Sequence, residues 1–335
     1  YCPTLIPDAH NERLSQTKAL HMEYPQAVPT AFSVDETRCL FLKNQECKQC
    51  VPTCKAGAIN FDQREEMLRL EVGAVVLAPG FGRLDPEVLG KFGYGRYPNV
   101  VTSTEFERIL CASGPYQGHV LKADGTHPHR IAFLQCVGSR DCASNPFCSS
   151  VCCMYAVKEA IVAKEHAPDL DLTIFAMDLR TQGKGFDATR LRSAREYGVR
   201  FVHGRPASVE SHDGHLELTY AADSGEHVRE AFDMVVLSVG LAAPKGAEAL
   251  SAAAGIDLNR YRFAATCPTA PLATTRPGVY VAGAFQSPKD IPESVTQASG
   301  AAALASQLLK DARGAALKRK DLPTETDIAN DAPKI

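Results

Sequence analysis

The chain has 335 residues, of which 45% are hydrophobic and 22% are charged. This composition predicts about two domains with genuine cores and excludes a disordered or fibrous protein. Its 36 Lys and Arg nearly balance 39 Asp and Glu, for a formal net charge of −3, so nucleic acid is not an expected partner. No apolar run reaches the roughly 18 residues of a transmembrane segment, and no signal peptide is visible, so we expect a cytoplasmic location. Because the sequence begins with Tyr1 rather than Met, we expect part of a longer or processed chain.

Residues 1–65 contain the first of two cysteine groups and few apolar runs. There are 12 cysteines in all, and in a long chain without an export signal such groups favour metal or redox chemistry over disulfides. The first group has the spacing C-x7-C-x2-C-x3-C, which indicates a 4Fe-4S cluster, with tetrahedral zinc or buried free thiols as alternatives. Its members are Cys39, Cys47, Cys50 and Cys54.

Residues 66–128 change character. Alternation over 68–72 predicts a hairpin strand, and the apolar run 74–78 predicts a buried parallel strand that ends in a turn at Gly80. A helix is predicted near 103–111, capped by Ser103 or Thr104.

Residues 129–240 have the outline of a βαβ dinucleotide-binding unit. A strand over 131–135 precedes a cysteine-bearing loop, a helix over 151–165, a strand over 170–177 and Asp178. We expect Asp178 to be structural or a neighbour of the metal centre. Further elements are predicted: a helix over 189–197, a strand over 199–203, a meander over 208–220 and a strand over 234–239.

The second cysteine group fills the turn where a Rossmann unit normally carries G-x-G-x-x-G. Thiolates there would be stabilised by the N-terminus of the following helix. The vicinal pair Cys152 and Cys153 is unlike zinc spacing, so we predict a second, non-standard 4Fe-4S cluster, with a redox-active dithiol as the alternative. The whole group is Cys136, Cys142, Cys148, Cys152 and Cys153.

Residues 241–312 return to strand and helix. The run 278–283 predicts a strand that ends in a glycine turn at Gly283, and Pro292 at a helix start precedes an Ala-rich helix over 294–310. Residues 313–335 are charged and without periodicity, which predicts a linker or tail.

Several of these stretches resemble the A subunit of heterodisulfide reductase, and in part the related A subunit of the quinone-interacting membrane-bound oxidoreductase. The resemblance covers nearly the whole chain to about Leu309. It implies an α/β fold with thioredoxin-reductase-like FAD/NAD(P)-binding Rossmann-type domains and an inserted small α+β ferredoxin-like module. The stretches that carry it are 133–141, 148–158, 177–180, 183–185 and 283–299.

The resemblance also assigns cofactors. Residues 1–65 would be a partial ferredoxin-like module with one cluster, and residues 129–240 a second Rossmann-like domain. In that domain Cys136, Cys148, Cys152 and Cys153 would hold the other cluster. The Cys2–Pro3 pair resembles the last cysteine of a preceding ferredoxin motif.

Residues 66–128 and 241–312 would be the returning part of the FAD-binding domain. No G-x-G-x-x-G turn exists in these 335 residues, so we expect an incomplete FAD site. By position, its residues would be Gly80, Gly283, Ala284, Lys289, Asp290, Ile291 and Gln297.

The function implied is electron transfer between FAD and 4Fe-4S clusters, with flavin-based bifurcation as one form of it, and with no residue acting as an acid, base or nucleophile. The implied partners are other heterodisulfide-reductase-type subunits and a donor such as hydrogenase, formate dehydrogenase or ferredoxin. Two alternatives stay open from the residues alone: a non-redox zinc-binding scaffold, and a stand-alone NAD(P)H-dependent dithiol reductase. The missing glycine fingerprint argues against the second.

Overall fold

The computed structural model describes residues 1–84 and 86–312, so the predicted tail over 313–335 lies outside the described residues. The elements in chain order are β1 (Leu5–Pro7), β2 (Gln16–Lys18), β3 (Leu20–Met22), β4 (Phe32–Val34), α1 (Leu40–Asn44), α2 (Cys50–Thr53), β5 (Val75–Leu77), α3 (Pro86–Gly90), β6 (Val100–Thr102), α4 (Ser103–Leu110), β7 (Arg130–Val137), α5 (Cys152–His166), β8 (Asp171–Ala176), α6 (Phe186–Arg195), β9 (Arg200–His203), β10 (Ser208–His212), β11 (His215–Ala221), β12 (His227–Phe232), β13 (Met234–Val239), α7 (Ala247–Ala254), β14 (Val279–Val281) and α8 (Ile291–Leu308).

The centre of the fold is a five-stranded parallel sheet in the order β6-β13-β7-β8-β9. Its strands are almost continuously apolar and buried, as expected of a parallel sheet covered on both faces. Helices α4 and α5 pack on one face, and the antiparallel sheet β10-β11-β12 covers the other. The predicted βαβ unit, here β7-α5-β8, is confirmed.

Two smaller parts flank this sheet. In the first sixty residues the strands form two short antiparallel pairs, β1 with β2 and β3 with β4, followed by α1 and α2. In the part expected to bind FAD, β5 pairs with β14 in parallel, and α8 follows β14 after a 3₁₀ turn at Gly283–Phe285.

Residues 100–110 lie in a different part of the fold from the one expected. From the sequence we expect them in the returning part of the FAD-binding domain. Instead, β6 pairs with β13, and α4 packs in the core beside α5. All three residues of β6 are buried at this edge of the large sheet, whereas the small sheet leaves the Val75 and Val76 side chains of its strand exposed. The cap of α4 is Thr102 rather than Ser103 or Thr104, and Glu105 completes a capping box with it.

The alternating segment 68–72 is not a strand, and Leu68 and Leu70 are 75% and 76% exposed. The strand predicted after it does form as β5. It pairs with β14 alone among the described residues, so Val75 and Val76 are exposed rather than buried. This small parallel sheet therefore presents an open apolar surface.

Phe133 of β7 lies at the centre of the core, with 0% exposure and an edge-on contact to the Phe106 ring at 5.5 Å. We expect Phe133→Ala to lower the free energy of unfolding by about 3 to 5 kcal/mol, because it removes buried apolar surface and leaves a cavity. Phe32→Ala, at a ring that is 69% exposed, should change it by about 0.5 kcal/mol or less. Denaturant unfolding followed by circular dichroism measures both, and equal losses would contradict this account of the core.

Candidate metal centres

Cys39, Cys47 and Cys50 of the first group line a small cavity with a volume of about 20 Å³. Cys39 precedes α1, Cys50 begins α2, and Cys47 lies in the turn between these helices. Cys2, just before β1, contributes a fourth thiol to the same cavity, whereas Cys54 does not line it. The remaining walls are mainly apolar: Pro3, Thr4, Leu20, Val34, Leu40 and Phe61.

The electrostatics of this cavity agree with that placement. Burial raises the pKa of the Cys50 thiol, and the neighbouring Cys39, Cys47 and Cys2 raise it further. Cys54 points elsewhere, and its Sγ accepts a hydrogen bond from the Ala58 amide at 3.4 Å. The structure thus brings together three of the four predicted ligands, Cys39, Cys47 and Cys50, and the fourth cysteine at this cavity is Cys2.

The second cysteine group converges at the start of α5. Cys136 is the penultimate residue of β7, Cys152 and Cys153 open α5, and all three are buried. Burial raises the pKa of Cys152 to about 12, and the charges of Cys153, Cys136 and Cys148 act in the same direction. Cys142, which the sequence leaves unassigned, is exposed on the intervening loop.

The loop between β7 and α5 is held in an unusual conformation. Cys136, Arg140 and Ser150 all have positive φ, at 60°, 56° and 67°, which costs a residue with a side chain about 1 to 3 kcal/mol. The Ser139 and Ser149 hydroxyls contact each other at 2.8 Å under β13. A side chain at Gly240 would collide with both hydroxyls, with its Cβ 2.0 Å from the Ser139 Oγ. Close packing therefore compensates the strain that aims the thiols inward.

The donor set of each centre suits a thiolate-bound metal. Four cysteines are the ligand set of both 4Fe-4S clusters and structural zinc. Within residues 1–84 and 86–312, no three His, Cys, Asp or Glu side chains form a site for a single metal ion. A metal centre would keep the buried thiols deprotonated, since coordination outweighs burial.

The residues predicted to touch FAD gather at the carboxyl ends of β5 and β14. Gly80 and Gly283 follow these two strands with positive φ, at 80° and 73°. Gln297 of α8 accepts a hydrogen bond from the Gly283 amide at 2.9 Å. Ala284 is buried in the 3₁₀ turn. The structure thus brings this part of the predicted set to one edge.

Lys289 and the start of α8 complete this edge. Lys289 is buried and its Nζ donates to the Gly283 and Ser287 carbonyls and to the Gln286 and Ser287 side chains. Burial lowers the pKa of this lysine to about 8. Asp290 caps α8, with the Glu293 side chain accepting a bond from its amide, so the helix N-terminus carries two carboxylates. Ile291 is 80% exposed beside them.

A partly open cavity of about 370 Å³ joins the second centre to this edge. Cys148 lines one side, and Ser287 and Pro288, just before α8, line another. The rings of Phe147, Tyr261 and Phe263 pack edge to face around it. Sequence reasoning missed this juxtaposition because it depends on residues separated by more than one hundred positions.

Known proteins resemble this chain along most of its length, although no protein-family model matches the sequence. The chain is 43% identical over 312 residues to the A subunit of the H(2):CoB-CoM heterodisulfide,ferredoxin reductase of Methanothermobacter marburgensis, covering 91% of this chain and 46% of that protein. It is 37% identical to the iron-sulfur A subunit of the CoB-CoM heterodisulfide reductase of Methanocaldococcus jannaschii, covering 91% and 47%. The chain is a homologue of heterodisulfide reductase A subunits.

A third relative is the A subunit of the H(2)/formate:CoB-CoM heterodisulfide,ferredoxin reductase of Methanococcus maripaludis, 38% identical over 90% of this chain and 46% of that protein. The chain thus spans about half the length of the curated heterodisulfide reductase subunits it matches. Among solved structures, thioredoxin reductase of T. acidophilum aligns with a TM-score of 0.46 and 16% identity, over 70% of this chain and 65% of that one. No helix in the described part of the chain is long and apolar enough to cross a membrane.

One buried carboxyl lies on the same helix as the second centre of this heterodisulfide reductase homologue. Burial, and then the charge of Glu107, raise the pKa of Glu159 well above its usual range, and its Oε2 has no hydrogen-bond partner among the described residues. The native state therefore binds this proton more tightly than the unfolded chain. The contribution of Glu159 to the free energy of unfolding is therefore fully present below the pKa that this residue has in the unfolded chain. It is lost as the pH rises through the pKa that the residue has in the folded protein.

We expect the effect of Glu159→Gln on the free energy of unfolding to be more favourable at pH 8 than at pH 5 by about 1 to 3 kcal/mol, because glutamine stays neutral at both pH values whereas the buried carboxyl either ionises or holds its proton at a cost at pH 8. Unfolding curves at the two pH values measure the difference. Glu165→Gln, at an exposed position of the same helix, is the matched control and should show no such pH dependence. A Glu159→Gln effect that is identical at pH 5 and pH 8 would refute the prediction.

Proposed function

We propose that this chain is an electron-transferring segment of the A component of a heterodisulfide-reductase-type complex, an oxidoreductase component that passes electrons between FAD and two 4Fe-4S clusters. The observation that carries the proposal is the convergence of four thiols at the start of α5 beside a cavity shared with the flavin edge. Cofactors carry the redox chemistry, and the chain sets their positions and environments.

For the second cluster we propose the ligands Cys136, Cys148, Cys152 and Cys153. Three separate segments supply them: the end of β7, the strained loop and the first turn of α5. A Rossmann unit binds pyrophosphate at this helix N-terminus. The same partial positive charge would stabilise thiolates, so a cluster can occupy the place of a nucleotide.

For the first cluster we propose the ligands Cys2, Cys39, Cys47 and Cys50. In two-cluster ferredoxins the fourth cysteine of one motif binds the cluster of the other motif. The same exchange of the fourth ligand would explain why Cys2 lines the cavity and Cys54 does not. Cys54 would then serve a different centre, so the ligand set proposed from spacing alone changes in one member.

For the flavin we propose that this chain supplies only part of the site. Gly80 and Gly283 leave the edge open to a ring or ribityl chain, and Lys289 fixes the loop that joins Gly283 to α8. Bound FAD would supply the exchange between one-electron and two-electron steps. The pyrophosphate site needs a glycine-rich turn that the sequence does not contain.

The relatives' names also suggest the partners. We propose that the chain works with further heterodisulfide-reductase-type subunits, that electrons enter from a hydrogen-, formate- or ferredoxin-linked donor, and that they leave to a disulfide or to ferredoxin. Flavin-based bifurcation would connect these two acceptors at one flavin.

The test is to prepare the chain anaerobically, reconstitute it with iron and sulfide, and measure iron, zinc and flavin together with the visible spectrum before and after reduction with dithionite. We expect iron in the amount of two clusters and a brown chromophore that bleaches on reduction. A colourless protein that takes up zinc and no iron would establish the scaffold alternative instead. Tight nicotinamide binding with a titratable dithiol at Cys152 and Cys153 would favour the dithiol reductase.

A further inference from the structure

Asp178 follows β8 at the position where Rossmann proteins use an acidic residue to bind ribose. Here both of its carboxylate oxygens are occupied by arginines. The Arg140 Nη1 pairs with Oδ1, and the Arg180 Nε donates to Oδ2 at 3.3 Å. These two arginines come from different loops, one after β7 and one after β8, so a single carboxylate joins the two loops at the mouth of the second centre.

Each arginine is in turn next to a proposed cluster ligand. Burial raises the pKa of Cys136, and the Arg140 guanidinium opposes that rise through its charge and a hydrogen bond. Burial also raises the pKa of Cys153, and the backbone of Arg180 opposes that rise. Cys136 and Arg140 both have positive φ, so the chain bends sharply at each end of the four-residue step from the thiol to the guanidinium.

This arrangement sets a fixed positive charge beside the cluster. The Arg140 side chain is 24% exposed, so water screens its charge less than at the open surface. A cluster becomes more negative by one charge when it accepts an electron, and a neighbouring cation stabilises that state. Net charge and hydrogen bonds to the sulfurs are the levers that set the potentials of such clusters.

We propose that Asp178 is a positioning residue that holds Arg140 against Cys136 and thereby raises the reduction potential of the second cluster. The inference rests on the proposed function, because it needs the cluster at Cys136, Cys148, Cys152 and Cys153. It gives the acidic residue of a nucleotide-binding fold a different task, which is to orient cations around an iron-sulfur centre.

The test uses the full reconstituted chain and a redox titration followed by electron paramagnetic resonance. We expect Arg140→Gln to keep its iron and to lower the equilibrium constant for one-electron reduction of the second cluster about tenfold, which is about 59 mV. Arg140→Lys keeps the charge and should recover most of the loss. Arg262→Gln, at an arginine paired with Glu248 on the surface of α7, is the matched control and should leave the potential unchanged.

Asp178 is tested by a double-mutant cycle, since Asp178→Asn also removes a negative charge and a single variant would mix two effects. In the Asp178→Asn background, Arg140→Gln should shift the potential much less than in the wild type. An equal shift in both backgrounds overturns the positioning role of Asp178. An unchanged potential in Arg140→Gln with full iron overturns the inference while the proposed function stands. Wild-type protein that binds no iron at this centre removes the proposed function itself.

Discussion

Replacing Cys152 with Ala is expected to remove the iron of one cluster and leave the other cluster in place. Cys152 is buried at the first turn of α5, and three other thiols of the group raise its pKa through their charges. Loss of one of four thiolates leaves a cluster iron without its protein ligand in a site that has little water to replace it. Iron and sulfide analysis of the reconstituted variant, compared with the wild type, measures the loss.

The matched control is Cys142→Ala in the same loop. Cys142 is exposed and does not contribute to the pKa shifts of the converging thiols, so we expect wild-type iron. The two variants therefore separate a ligand from a cysteine that is close only in sequence. If Cys142→Ala lost iron and Cys152→Ala kept it, the ligand set of the second cluster would have to be redrawn.

The gathering of the second cysteine group near the start of α5 was predictable because the information for it is local. Within β7-α5-β8 the order strand, loop, helix, strand fixes the turn at the carboxyl end of β7, and cysteines in that turn must gather at the start of α5. Periodicity alone placed the helix within about a turn of its observed bounds. The ion pair of Arg140 with Asp178 was not predictable, since it depends on positive φ at a residue that carries a side chain.

The remaining differences between the predicted and the observed strands arise where pairing with a distant part of the chain determines the structure. The short apolar run of β6 fits the edge of either sheet by its residues, and only the register against Val235 and Val236 assigns it to the large one. The alternation at 68–72 is a valid strand pattern, but a strand also needs a partner, and no partner pairs with it among the described residues. The local sequence pattern therefore predicted whether several elements are helices or strands, but it did not predict which strands pair with each other.

The two centres also differ in how much of their chemistry the backbone determines. At the second, Cys136 near the end of β7 and two residues of the following loop have positive φ, and close packing at Gly240 compensates this strain, so we infer that the polypeptide itself positions these thiols. At the first, Cys39, Cys47, Cys50 and Cys2 lie on short elements without a large core. We infer that bound metal contributes more to the folding of the first module than to the second domain.

The exchange between Cys2 and Cys54 gives the sharpest test of the first centre. Spacing groups Cys54 with Cys39, Cys47 and Cys50, whereas the structure puts Cys2 in the cavity with them. We expect Cys2→Ala to lose the iron of the first cluster to the same extent as Cys47→Ala. Cys54→Ala should keep that iron, because its thiol lies outside the cavity and bonds the Ala58 amide.

Iron analysis alone would not separate the two clusters, so each variant is best made in the Cys152→Ala background, where only the first cluster remains. There Cys2→Ala should abolish the residual iron and its visible absorbance, and Cys54→Ala should retain both. The reverse result would restore the ligand set that spacing predicts and would mean that Cys2 lines the cavity without binding. Retention of iron in both variants would require a ligand from another residue at the cavity wall, of which Thr4 is the one with a side-chain oxygen.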